Sequence, residues 1–126
     1  MSLNTCRQLL LIWHSRTDAA RQLAEQAEEG ALHVLKELGE TEQVCIKRLH
    51  CDQVNAQDLR DSHAYLFCAP ENLASLSGAM KECLDRNYYE VLDQLNGRPY
   101  SALISAGSDG CPFGLVAACT SGCVHP

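Results

Sequence analysis

The sequence predicts an α/β fold, a parallel sheet with helices on both faces, and three observations carry that prediction. Short apolar runs alternate with longer segments whose apolar residues recur at helical spacing, the pattern of β-α-β units. The apolar runs are continuous rather than alternating, as expected of strands covered on both sides. Third, a polar loop follows three of the predicted strands. The chain has 126 residues, 46% hydrophobic and 21% charged, which suits one globular domain with one core.

"RQLLLIWHS" (residues 7–15) is the first predicted strand. "TDAARQLAEQAEEGALHVLKELG" (17–39) changes period: Ala20, Leu23, Ala24, Ala27, Ala31, Leu35 and Leu38 form one face, and charged residues fill the other. Thr17 is the expected N-cap and Gly39 the expected stop. "EQVCIKRLH" (42–50) is the second strand, "VNAQDLRDS" a short helical turn, and "AYLFCAP" (64–70) the third strand. A second long helix is predicted over 75–95, closed by "NG", and "RPYSALISAG" (98–107) is the fourth strand.

Composition excludes several function classes. Net charge is −6 with ten basic side chains and no Lys/Arg stripe, so neither nucleic acid nor an anionic membrane is an expected partner. No apolar stretch has the length of a membrane span, and "MSLNTCRQ" lacks a signal-peptide core, so a cytoplasmic location is expected. On the same ground the eight cysteines are expected to be reduced, with Cys6, Cys45, Cys51, Cys68 and Cys83 acting as small apolar side chains. Cys111, Cys119, Cys123 and His125 lack the paired spacing of a zinc site, so no metal is expected. No phosphate-binding G-x-x-x-x-G-K-[ST], G-x-S-x-G or C-x5-R motif occurs, nor a G-x-G-x-x-G.

In a sheet of this kind ligands bind beyond the carboxyl ends of the strands. That rule isolates "HSRTDAAR", "APENLASLSG" and "SAGSDG". The first places Ser15, Arg16 and Thr17 at the start of a helix, where hydroxyls, free N–H groups and the helix dipole suit an anion. Ordinary capping by Thr17 accounts for the same residues, and spacing does not separate the two.

"LLIWHSRTDAARQLAE", "CAPENLASLSGAMKECLDR" and "SALISAGSDG" together carry a resemblance. The chain resembles the flavodoxin-like superfamily, most nearly its NAD(P)H-dependent FMN reductase and flavodoxin-like oxidoreductase branch. The first stretch is similar to a Y-H-S-R-T-G-N-T phosphate loop, and the second to G-T-P-x-Y-x-x-x-x-S-G-x-M-K-x-F-L-D-R, the most specific of the three. The resemblance implies a flavodoxin-like doubly wound parallel sheet in the order 2-1-3-4, its fifth strand missing or replaced by a short tail. One domain spans 1–126, with 7–110 matching the family and 111–126 an atypical tail.

By the same resemblance FMN is the cofactor and NAD(P)H the electron donor. Ser15, Arg16, Thr17, Ala19 and Ala20 carry over to the FMN phosphate, and Pro70, Glu71, Asn72 and Leu73 to the isoalloxazine ring. Ser105, Gly107, Ser108, Asp109 and Gly110 carry over to the far edge of the flavin, while Lys81, Asp85 and Arg86 are structural parts of the helix. No residue is nominated as catalytic, because the flavin supplies the chemistry. The implied activity passes electrons from NAD(P)H through FMN to a quinone, flavin or other small-molecule acceptor.

Two departures stand out. Asp18, Ala19 and Ala20 replace G-N-T, so weaker FMN binding is expected unless the Asp18 carboxylate turns away. After "SAGSDG" only "CPFGLVAACTSGCVHP" follows, which leaves the fourth strand as an apolar edge and predicts a homo-oligomer. The alternative function is a non-catalytic truncated module acting through oligomerisation or partner binding.

Overall fold

The computed structural model describes residues 6–107. β1 (Arg7–Trp13) leads to α1 (Ala19–Leu38) and β2 (Val44–His50). A 3-10 turn at Cys51–Gln53 and α2 (Ala56–Asp61) lead to β3 (Ala64–Asn72). A two-residue strand β4 (Ser75–Leu76), α3 (Gly78–Asn87), a 3-10 turn at Tyr89–Val91 and β5 (Tyr100–Ser105) complete it. β1 pairs in parallel with β2 and β3, and β3 pairs in parallel with β5. β5 is the strand predicted as the fourth, so the expected order 2-1-3-4 is the order found.

The continuous apolar runs are explained by two cores. Leu10, Ile12, Tyr65 and Ala69 face Met80, Cys83, Leu59 and Val54 on one side of the sheet. Leu11 and Cys68 face Ala24 on the other, with Trp13, Leu66 and Leu103 around them. Small alanines let α1 lie close to the sheet. Only its first half is buried there: Leu38, counted on the sequence-predicted apolar face, is 67% exposed.

Four sequence expectations need correction. The N-cap position of α1 is held by Asp18 in a left-handed conformation (φ 80°), not by Thr17, and no side chain caps the helix start, because the chain turns sharply out of the loop there. β3 runs two residues past Pro70 and pairs antiparallel with β4, Glu71 opposite Leu76 and Asn72 opposite Ser75. The hairpin turn is made by Leu73 (φ 52°) and Ala74 (φ 63°), both left-handed, as a two-residue turn matched to strand twist requires. The long helix over 75–95 is α3 plus irregular turns. It ends where the Asn87 side chain donates to the Cys83 carbonyl (2.9 Å), and Asp93 (φ 63°) is outside helical space.

The fourth correction concerns redox state. Cys6 and Cys45 form a disulfide with Cα atoms 6.3 Å apart, joining the start of β1 to β2. Parallel register places Arg7 opposite Val44 and Gln8 opposite Cys45, which brings Cys6 within reach. Gly39 stops α1 as expected, with φ 69° and its N–H bonded back to the last turn.

Candidate flavin site

The parallel register gathers the three loops at one edge. Trp13, the last residue of β1, lies opposite Cys68, and Pro70 lies opposite Ser105 at the end of β5. Ser15, Arg16, Thr17 and the first turn of α1 therefore emerge beside the β3–β4 hairpin, and Ser105 and Gly107 emerge on its other side. Ser108, Asp109 and Gly110 lie outside the described residues.

In the first loop, the hydroxyl oxygen of Ser15 is buried and has no hydrogen-bond partner among the described residues. Such a group costs free energy unless something fills it. It lies four residues before α1, a twenty-residue helix whose N-terminus no side chain caps. Helix geometry leaves the first-turn N–H groups of Ala19, Ala20 and Arg21 without intrahelical acceptors. Ala19 is exposed there, while Ala20 is 1% exposed and packs into the core. A buried hydroxyl without a partner, near an uncapped and positive helix end, fits a phosphate group.

The Asp18 carboxylate is turned aside. Both of its oxygens take the Arg21 guanidinium, one at 2.6 Å, and Arg21 also pairs with Glu25. The hydrogen bond from Arg21 holds the Asp18 carboxyl below its ordinary value. The charge that should repel a phosphate is thus matched by a cation three residues along.

In the second loop, Pro70, Glu71 and Asn72 are half-buried on β3 and Leu73 is 99% exposed at the hairpin tip. Glu71 Oε2 accepts the Ala74 N–H at 2.6 Å and braces the turn. Left-handed leucine is costly, so the hairpin spends stability to hold an apolar side chain in the open. A flat apolar ring would cover it.

His14 and Ser77 belong to the site although spacing did not single them out. The His14 N–H donates to the Cys68 carbonyl (3.0 Å), and its ring Nδ1 lies 3.0 Å from Ser77 Oγ. Ser77 is fully buried and its N–H donates to the Pro70 carbonyl at 3.1 Å. Burial, then the charge of nearby His50, lowers the His14 pKa, with Arg16 adding and Asp52 opposing. The sequence signal was present: His14 directly follows β1, and Ser77 opens the S-G-x-M-K stretch.

Lys81 pairs with Asp85 at 2.6 Å, and Arg86 Nη2 donates to the carbonyls of Cys51 (2.9 Å) and Val54 (3.0 Å), fastening α3 to the turn after β2. Their expected structural role holds. His50, Cys51 and Asp52 offer donor atoms within 4.8 Å of one another. The His50 Nδ1 already accepts the Asp52 N–H at 3.2 Å, and burial pushes the Cys51 thiol up to about 11, so this set is poorly suited to a metal. Among the described residues no helix is long and apolar enough to cross a membrane.

Residues 14–116 match the family model described as NADPH-dependent FMN reductase. Solved structures share the fold. An oxidoreductase from Corynebacterium diphtheriae is 18% identical with a TM-score of 0.68, the match covering 86% of this chain and 68% of that one. A flavodoxin from Streptococcus pneumonia is 17% identical (TM-score 0.61; 86% and 69% covered). The apo form of an NADH:FMN oxidoreductase is 18% identical (TM-score 0.61; 82% and 60% covered). No curated protein matches the chain.

Proposed function

Because the chain belongs to the NADPH-dependent FMN reductase family, whose cofactors are FMN and a nicotinamide donor, we propose that it binds FMN at the β1, β3 and β5 loops. The reaction proposed is electron transfer from NAD(P)H to a quinone, flavin or other small acceptor in the cytoplasm. The observation that carries this reading is the orphaned Ser15 hydroxyl beside the uncapped start of α1. Ser15 Oγ and the first-turn amides would hold the phosphate, with Arg16 and Thr17 flanking it. The hairpin from Pro70 to Leu73 would line the ring, with Leu73 covering it from water, and Ser105 and Gly107, with Ser108, Asp109 and Gly110 following, would close its far edge. Bound flavin supplies hydride and electron transfer; the chain's residues bind, orient and shield it.

Titration of FMN fluorescence with purified protein tests the reading. Quenching that saturates, with bleaching of the flavin absorbance on adding NADPH under nitrogen, is the expected result. No quenching by folded protein at high micromolar concentration would sink it.

One observation favours a second reading, a module that works by self-association. Phe67, Leu84, Leu95, Tyr100, Ala102 and Ile104 line an apolar groove of about 480 Å³ next to β5, whose outer edge is unpaired among the described residues. A second copy seated there would need to bury roughly 1,200–2,000 Å² for a stable dimer. Sedimentation giving a concentration-independent monomer at micromolar protein would remove this reading.

A further inference from the structure

We propose that His14 is a positioning residue for the flavin: through Ser77 it locks the phosphate loop to the hairpin that lines the ring. The proposal rests on FMN binding as read above and names how its two halves are held in register.

The bond is unusual in what it gives up. Ser77 is the N-cap residue of α3, where a serine hydroxyl ordinarily accepts a first-turn N–H. Here it caps nothing, and Oγ lies 3.0 Å from His14 Nδ1 instead. The same serine is anchored to the hairpin by its N–H on the Pro70 carbonyl (3.1 Å), and Pro70 leads directly into Glu71 and Asn72. His14 is in turn bonded through its N–H to β3 at Cys68 and is followed at once by Ser15. A continuous path Ser15–His14–Ser77–Pro70 thus joins two loops that are 63 positions apart in sequence. The His50 ring lies edge-on to the imidazole with centroids 5.9 Å apart, which limits the ring's rotation.

A ligand that bridges two loops gains affinity from their being held at the right separation, whereas a ligand that touches one loop does not. FMN spans both; riboflavin lacks the phosphate, and inorganic phosphate lacks the ring. Loosening the His14–Ser77 link should therefore weaken FMN alone.

The test is a double-mutant cycle with His14→Phe and Ser77→Ala in the full chain, read by titration with FMN, riboflavin and inorganic phosphate. Each single variant should weaken FMN about five- to tenfold, the worth of one buried hydrogen bond, and the pair should be no worse than either. Riboflavin and phosphate affinities should hold within about twofold. His14→Asn, whose amide reaches the Nδ1 position, should recover most of the loss and covers the case in which His14→Phe fails to fold. Equal losses for FMN and riboflavin, additive single effects, or no rescue by His14→Asn in folded protein would overturn the proposal. Wild-type protein that binds no FMN would overturn it together with the functional reading; wild-type binding with insensitive variants would overturn the positioning role alone.

Discussion

α2 and α1 begin in opposite ways. At α2 the Asn55 side chain accepts the Asp58 N–H and the Asp58 carboxylate accepts the Asn55 N–H, both at 2.9 Å, so the helix start is closed by its own residues. At α1 the N-cap residue is also a short polar one, yet it caps nothing: Asp18 adopts φ 80° and gives its carboxylate to Arg21. The six-residue helix is sealed and the twenty-residue helix is left open. A left-handed N-cap residue, an uncapped first turn and a hydroxyl without a partner among the described residues set α1 apart from α2, the contrast that the proposed phosphate site predicts.

The strongest way to break that comparison is to fill the open end. Ser15→Asp puts a carboxylate where a phosphate would lie. A single charge facing a dianion at roughly 6 Å, with an effective dielectric near 40, interacts by about 3 kcal/mol, or about a hundredfold in FMN affinity. Riboflavin affinity should be unchanged. Comparable loss of both flavins in fluorescence titrations would mean the phosphate sits elsewhere.

A smaller and opposite effect is expected of Asp18→Gly. Glycine adopts φ 80° freely, and the change removes a carboxylate beside the helix start while Arg21 keeps its pairing with Glu25. FMN should bind about tenfold more tightly, with little gain for riboflavin. Equal gains for both would trace the effect to helix stability instead of charge.

How far these features were legible differs by kind. Strand order, the continuous core strands and the Gly39 stop follow from periodicity and glycine chemistry, which are local. The three loops were found because topology assigns ligands to strand ends. The β3–β4 hairpin was hidden because Leu73 and Ala74 take left-handed conformations that sequence ordinarily reserves for Gly and Asn. The Cys6–Cys45 bond and the His14–Ser77 contact depend on register between distant segments, which no spacing rule encodes. Asp18 was marked as a departure, but its pairing with Arg21 needed the turn geometry.

A paired experiment sharpens the comparison further. Asn55→Ala removes a closed cap and should cost about 1 kcal/mol of stability with no change in FMN affinity. Ser15→Ala removes a hydroxyl that has no partner among the described residues, so stability should hold or rise slightly while FMN affinity falls about fivefold. Urea midpoints and flavin titrations on the same preparations read both. A Ser15→Ala variant that unfolds earlier and binds FMN normally would reverse the assignment.

The smallest expected effect concerns pH. Burial, assisted by His50 and Arg16, holds the folded-state pKa of His14 below 6.5. Between that lowered value and 6.5 the unfolded chain binds more proton at this site than the folded chain does. Stability from His14 therefore rises with pH across that window and is level above it. The free energy involved is modest, because the ring is only partly buried. It should appear as the difference between wild type and His14→Asn in urea midpoints from pH 4.5 to 8: the variant gains on wild type as pH falls below 6.5, and the gap is constant above. Wild type losing stability relative to the variant as pH rises above 6.5 would show that the imidazole is held charged in the folded protein. The Ser77 hydroxyl would then have to accept its proton, and the loops would be joined by a charged bond.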